Sequence, residues 1–404
     1  MTEQWKRYFK GDAVIWGVII SLSIISLLAV YSSTGTLAYK YQHGNTAYYI
    51  MKHFTFLFVG LIIIFITHLI PYNLYSRLSQ LLVFLCIPLL GITLVFGRHL
   101  NDASRWLTIP GTGLSFQTSD FAKLAIIMLV ARLLSQKQDT IKDFKKTFLP
   151  IIGWVGMICV LILPANFSTA AILFATCLIL MFIGRVSIKH IFLMCGTGLM
   201  IIAVFMIMAM YVFHYKGRTE LWKTRIENFI SGKSESNYQA EQAKIAIATG
   251  GIIGKGPGNS IQRNFLPHPY SDFIYAIIIE EYGLIGGVAV LFFYLWLLFR
   301  AGMMIKKMDR TFPAFLAIGL TLILVFQAMV NMAVAVNLFP VTGQPLPLVS
   351  MGGTSVLFSC FALGIILSIS RTSIKESKKV IASTQNKEKK ENNNEEHGED
   401  QDNN

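Results

Sequence analysis

The chain has 404 residues, of which 54% are hydrophobic and 14% charged, with a mean hydropathy of +0.55, whereas soluble chains carry roughly a quarter charged residues. Its apolar residues fall in runs long enough to cross ~30 Å of hydrocarbon, which excludes a soluble globular domain. The net charge of +13 requires no nucleic-acid partner, because the Lys and Arg lie at the ends of those runs.

Taken in order, the first run, Val14 to Tyr31, follows Lys6, Arg7 and Lys10 as a signal peptide's apolar region would. No small-x-small cleavage site comes after it, so it reads as a retained first helix. About ten spans are predicted by length and hydropathy: 13–33, 52–70, 75–96, 117–134, 147–164, 168–184, 190–212, 272–299, 312–336 and 351–370. The expected fold is an all-α polytopic membrane protein with one large extracytoplasmic loop, 213–271, between spans seven and eight. Short connections alternate in charge. Lys/Arg clusters such as Arg132 to Lys146, Arg300 to Arg310 and Arg371 to Lys379 mark one side, while 337–350 on the other has none. By the positive-inside rule both termini are cytoplasmic and the loop holding Arg105 is outside. The membrane domain is 1–371. Residues 372–404 form a disordered cytoplasmic tail, whose end, Thr384 to Asn404, has no large apolar residue to bury. Cys86, Cys159, Cys177, Cys195 and Cys360 all lie in apolar runs without metal-ligand spacing and read as packing residues. No internal repeat is found, so the inverted-repeat signature of many transporters is missing.

Several constellations could carry chemistry. Asp120 and Lys123 open the fourth span at i, i+3 and share a helix face. Charges there must face a cavity or each other, so they form either a structural ion pair or, with Arg105 just upstream, an anion site. In the long loop, Trp222, Ile226, Phe229 and Ile230 share one face of a predicted helix over Arg218 to Ile230, lying in the interface or packed on the protein. A second helix is predicted for Tyr238 to Thr249. It is followed by Gly250-Gly251 and Gly254-Lys255-Gly256-Pro257-Gly258, which lacks P-loop and dinucleotide spacing. This glycine run is either a structural turn or a set of amides open to an anion.

Asp272 ends the loop. The stretch Phe213 to Ser271 carries eight Lys/Arg against four Glu, so an acid at this boundary suits chemistry on a charged, lipid-linked substrate. Glu280 lies eight residues on and could share its face, whereas Glu281 points elsewhere; either could instead bond to a neighbouring helix. The last outer loop, Pro340 to Ser355, is too rich in Pro and Gly for a helix and reads as a rigid re-entrant turn that must be packed by protein or line a cavity.

These motifs together resemble the SEDS family (shape, elongation, division and sporulation proteins, FtsW and RodA among them). The resemblance is carried by Arg105-Trp106, Gln117-x-Ser119-x-x-x-Lys123, Gly250-Gly251-x-x-Gly254-x-Gly256, Leu266-Pro267, Ser271-Asp272-Phe273-x-Tyr275, Glu280-Glu281-x-Gly283 and Pro340-x-Thr342-Gly343-x-x-Leu346-Pro347-x-x-Ser350-x-Gly352-Gly353. It covers residues 13–371 in order. The wording of 254–260 and 264–272 resembles the division branch, of Bacteroidetes type, more than the elongation branch.

The resemblance implies a peptidoglycan glycosyltransferase that polymerises lipid II at the outer face of the bacterial cytoplasmic membrane, at the division septum. It implies as partners a class B penicillin-binding transpeptidase and other divisome proteins. The family's key acid falls on Asp272. Its membrane acid and lysine fall on Asp120, one methylene shorter than usual, and Lys123. His268-Pro269-Tyr270-Ser271 replaces the usual Glu-x-His-Thr, and a common Asp in the fifth-to-sixth connection is replaced around Pro164-Ala165-Asn166.

Forming the bond against a pyrophosphate leaving group needs one base and stabilisation of the departing anion, not the second acid that a hydrolase needs for an alkoxide. Asp272 is the expected base. Substrate contacts are expected at Lys123, Arg105 and Asp120, with Arg218, Lys255 and Ser350 as further candidates. No ligand cluster demands a metal, and a divalent cation (Mg or Mn) would ride on the pyrophosphate. The rivals are a lipid II flippase, which would want charges near the midplane and on both sides of a path, an elongation polymerase, and a catalytically silent scaffold.

Overall fold

The computed structural model describes residues 10–100, 103–108, 115–211, 238–306 and 308–374. Helices cover every predicted span: α1 Ala13–Ser33, α2 Gly35–Tyr41 (a short extra turn), α3 Thr46–Leu69, α4 Tyr72–Phe96, α5 Thr118–Gln136, α6 Leu149–Ile162, α7 Phe167–Ile183 and α8 Ile188–Tyr211. They continue with α9 Tyr238–Gly250, α10 Ile274–Ile305, α11 Thr311–Ala335 and α12 Thr354–Ile374. Among the described residues, seven stretches are long and apolar enough to cross a membrane: α1, α3, α4, α10, α11, α12 and the run Phe144–Ile162 that contains α6. α7 is shorter, and α5 carries Asp120, Lys123 and Arg132. The predicted helix Arg218 to Ile230, Arg218 itself and the tail beyond residue 374 lie outside the described residues.

Consecutive long helices alternate in direction, and their ends meet at two poles. At one pole Arg300 is paired with Asp12, and Arg371 Nη2 donates to Leu69 O (2.9 Å). At the other, Arg263 Nη1 donates to Ser32 O (3.0 Å) and Arg105 Nε to Ala165 O (3.0 Å). The Asp272 end of α10 belongs to this second pole, called here the site pole. α11 is the central post: 83% of its apolar window is buried, against 28% for α3 and α4.

The loop predicted around Arg105 is instead a small antiparallel sheet, β1 Arg98–Leu100, β2 Ala103–Thr108 and β3 Ser115–Gln117, in the order β1-β2-β3. Strands of three to six residues give too little alternation to be legible in sequence. Gln117 of β3 leads directly into α5, so the sheet fixes where that helix starts.

The glycine run resolves as a backbone splice. In a continuous helix the carbonyls of Glu280 and Glu281 would accept from the amides of Leu284 and Ile285. Here Gly283 takes φ 69°, ψ −172° and residues 251–256 enter the gap. Leu284 N donates to Gly251 O (2.9 Å) and Ile285 N to Ile252 O (3.3 Å). In return Lys255 N donates to Glu280 O (3.0 Å) and Gly256 N to Glu281 O (2.9 Å). Backbones this close leave no room for a Cβ: one on Gly254 would meet Glu281 O at 2.2 Å, and one on Gly283 would meet Ile252 O at 2.1 Å. The amides of Lys255 and Gly256 are therefore committed to α10 rather than to an anion.

Both acids are bound to this splice. Glu280, fully buried, accepts from Lys255 Nζ (2.7 Å), Ser260 Oγ (2.5 Å), Ile261 N (3.1 Å) and Gln262 N (3.2 Å). Glu281 accepts from Ser260 N (3.2 Å) and from the Ser32 hydroxyl of α1. Glu280 thus bonds to the returning loop, not to a neighbouring helix, and does not share a face with Asp272, which precedes the helix.

Gly254→Ala should destabilise the protein by about 3 kcal/mol or more, because backbone atoms cannot yield as side chains do. Gly258→Ala, at φ +78° in open space, should cost only about 1–2 kcal/mol of left-handed strain. Thermal unfolding of the two variants in detergent checks the contrast.

Candidate active site

Asp272 sits in the turn just before α10, half-buried at the site pole. Ser271 Oγ donates to its Oδ1 (2.8 Å). Its Oδ2 faces Gly343 of the Pro340–Gly353 segment. A Cβ built on Gly343 would lie 3.5 Å from Asp272 Oδ2 and 3.7 Å from Arg105 Nη1. The carboxylate and the guanidinium thus flank one bare glycine, which at φ +66° also occupies the left-handed region. A larger residue would put a side chain between these two charged groups. Beside Asp272, burial and then the Asp272 carboxylate raise the Tyr270 phenol above its ordinary value, so it stays protonated at neutral pH.

The segment that presents Gly343 is irregular and largely buried, as the re-entrant reading requires. Its carbonyls are held by side chains from the helices around it. Gln327 Nε2 donates to Pro345 O (3.0 Å), and the Tyr294 hydroxyl donates to Pro347 O. Asn331 Nδ2 donates both to Gln344 O (2.7 Å) and to Asp272 O (2.9 Å), so one amide on α11 holds both halves of the site. Gln344 Nε2 in turn donates to Thr169 Oγ1 (2.9 Å) and Asn166 Oδ1 (3.3 Å). Asn166 also caps α7 by accepting from Thr169 N (3.2 Å), a role an amide oxygen fills as well as a carboxylate.

The other candidates separate. Ser350 is buried, and its hydroxyl accepts from Leu346 N (2.8 Å) while donating to Ser271 O (2.6 Å); it braces the loop beside Asp272 and is not free to meet a ligand. Lys123 is 7% exposed, with Nζ 2.8 Å from Asp120 Oδ1 and 2.8 Å from Gln327 Oε1. The pair is an ion pair in the first turn of α5, where a negative charge suits the helix dipole. Through Gln327 it supports the Pro345 carbonyl. Lys255 is committed to Glu280 and to Thr249 Oγ1 (3.0 Å). Of the expected cations in the described residues, the structure brings Arg105 to Asp272. No three His, Cys, Asp or Glu side chains converge among the described residues.

The comparisons with known proteins agree with this architecture. The FtsW/RodA/SpoVE family model, described as "Cell cycle protein", matches residues 12–375. The chain belongs to the FtsW/RodA/SpoVE family. It is 33% identical over 370 residues to the "Probable peptidoglycan glycosyltransferase FtsW" of Trichlorobacter lovleyi, covering 90% of this chain and 94% of that one. It is 30% identical over 369 residues to the stage V sporulation protein E of Bacillus subtilis, covering 90% and 97%. The crystal structure of the rod shape determining protein RodA of Thermus thermophilus has the same fold, with a TM-score of 0.65 at 21% identity over 90% of this chain and 98% of that chain. A chain from the structure described as "Structural coordination of polymerization and crosslinking by a peptidoglycan synthase complex" gives a TM-score of 0.66 at 22% identity, over 90% and 98%.

The residues that sequence reasoning missed in this family member are the amides on α11. Gln327 and Asn331 lie one turn apart in an otherwise apolar helix, and that spacing was a readable signal: polar groups at such depth serve a cavity or a partner. Gln344 gave no comparable signal, because a loop glutamine is ordinary.

Lys123→Met should destabilise the fold by roughly 3–5 kcal/mol, since it strands a buried Asp120 charge. Adding Asp120→Asn should recover most of the loss. Melting temperatures of the single and double variants in detergent check this.

Proposed function

We propose that this integral membrane protein is a glycosyltransferase that polymerises lipid II, the undecaprenyl-pyrophosphate-linked disaccharide peptide, into the glycan strands of septal peptidoglycan. The observation that carries the reading is the half-buried Asp272 carboxylate facing Arg105 across Gly343. Family membership and the names of the relatives support the reaction type and the division role.

The chemistry follows from that pair. An acceptor sugar's 4-hydroxyl placed at Asp272 gives its proton to the carboxylate as its oxygen attacks the donor's anomeric carbon. The anomeric carbon–oxygen bond breaks with its electron pair leaving on undecaprenyl pyrophosphate, and the Arg105 guanidinium is placed to stabilise that anion. Holding both groups on one frame converts an encounter of two lipids into a local event. Lys123 and Ser350 act through the loop, and Asp120 through Lys123. No three His, Cys, Asp or Glu side chains converge among the described residues, and a Mg or Mn ion would arrive with the pyrophosphate.

The reading places the protein in the bacterial cytoplasmic membrane with its termini inside and its site pole outward, supported by the Lys/Arg clusters at the opposite pole. A class B penicillin-binding transpeptidase and other divisome proteins are the partners it implies, supported by the fold shared with a chain from a peptidoglycan synthase complex.

Asp272→Asn keeps the shape and removes the base. Purified with its transpeptidase partner and given lipid II, it should polymerise at least 100-fold more slowly, in line with the value of a positioned base, with expression and partner binding unchanged. Near-normal glycan synthesis would refute the assignment.

A further inference from the structure

A second contact with the Pro340–Gly353 segment comes from α1 and α3. Ser26 of α1 is fully buried and His53 of α3 is 1% exposed. Ser26 Oγ donates to Val349 O (2.8 Å). Its hydroxyl hydrogen is thereby used, so in its 2.7 Å contact with His53 Nε2 it accepts. This assigns the imidazole hydrogen to Nε2.

The carbonyl that Ser26 holds stands at a strained point. Leu348 has φ +67°, a left-handed conformation that a residue with a Cβ adopts at a cost of about 1–2 kcal/mol. Hydroxyl groups hold the carbonyls on both sides of it: Tyr294 on Pro347 O and Ser26 on Val349 O. The next residue, Ser350, donates to Ser271 O (2.6 Å), and Met351 N donates to Tyr270 O (2.9 Å). From the imidazole to the residue before Asp272 there is thus an unbroken series of short contacts: His53 to Ser26, Ser26 to Val349, Ser350 to Ser271.

We infer that His53 and Ser26 are positioning residues for the Asp272 carboxylate. They hold the strained Leu348–Ser350 turn against the Tyr270–Ser271 backbone, and so fix the acid opposite Arg105. The inference rests on the reading of Asp272 as the base. Neither residue touches substrate in this account, so removing the relay slows turnover and leaves substrate affinity unchanged. A buried imidazole that merely fills space would be replaced equally well by leucine. One that donates through Nε2 requires a donor, which glutamine supplies at similar reach.

The experiment is a double-mutant cycle on the full-length protein with its partner, reading kcat and KM for lipid II per mole of folded enzyme. His53→Leu and Ser26→Ala should each lower kcat about 10-fold, a modest loss on the scale of what a small misplacement costs, with KM within twofold. Combined, they should still cost about 10-fold rather than 100-fold, because both break one relay. His53→Gln should restore kcat to within about threefold of wild type. The inference is overturned if the two effects multiply, if His53→Gln is as slow as His53→Leu, or if His53→Leu keeps wild-type kcat. Asp272→Asn, run alongside, separates the two claims: full activity there removes the base, whereas an inactive Asp272→Asn with a wild-type His53→Leu removes only the relay.

Discussion

One amide holds the site together. Asn331 Nδ2, on the largely buried helix α11, donates to the backbone of Asp272 and to that of Gln344. The two segments it joins are far apart in sequence and irregular in conformation. Each has carbonyls in a buried or part-buried setting, and an unpaired buried carbonyl costs about 1–3 kcal/mol. Irregular backbone at this depth persists only where side chains supply the missing donors, and Gln327, Tyr294, Ser26 and Ser350 supply the rest. The lattice does more than stabilise: it fixes the spacing between the Asp272 carboxylate and the Arg105 guanidinium.

The paired charges serve the same frame from below. Asp120 and Lys123 neutralise each other and pass their order to the Pro345 carbonyl through Gln327. At the kink of α10, Glu280 and Glu281 anchor the returning loop, while the backbone splice at Gly283 fixes the start of the helix relative to residues 251–256. Asp272 is therefore constrained from three directions by groups that need never meet a substrate, while Arg105 alone among the expected cations in the described residues reaches its side.

Much of this was legible in the sequence. Apolar runs gave the helices because only a helix satisfies its own backbone in hydrocarbon, and the Pro- and Gly-rich run before Ser355 announced irregular structure there. Asp272 stood out as an acid at the end of a basic loop. What could not be read was where the polar groups point. Lys123, Lys255 and Ser350 each looked available for a ligand, and each proved to be committed to a protein partner, because a buried donor is satisfied by whatever the fold brings to it. The glycine run read either as a structural turn or as amides open to an anion, because exposed amides and spliced amides have the same sequence. The sheet around Arg105 was too short to show a period.

The central claim, that turnover depends on Asp272 being held by the amide lattice, is tested most directly at Asn331. Replacing it with leucine keeps the size and removes both donors without touching either charged group. In lipid II polymerisation normalised to folded protein, the account predicts a kcat lower by about 100-fold, the scale of a misplaced catalytic group, with KM little changed. A wild-type kcat in Asn331→Leu would contradict it.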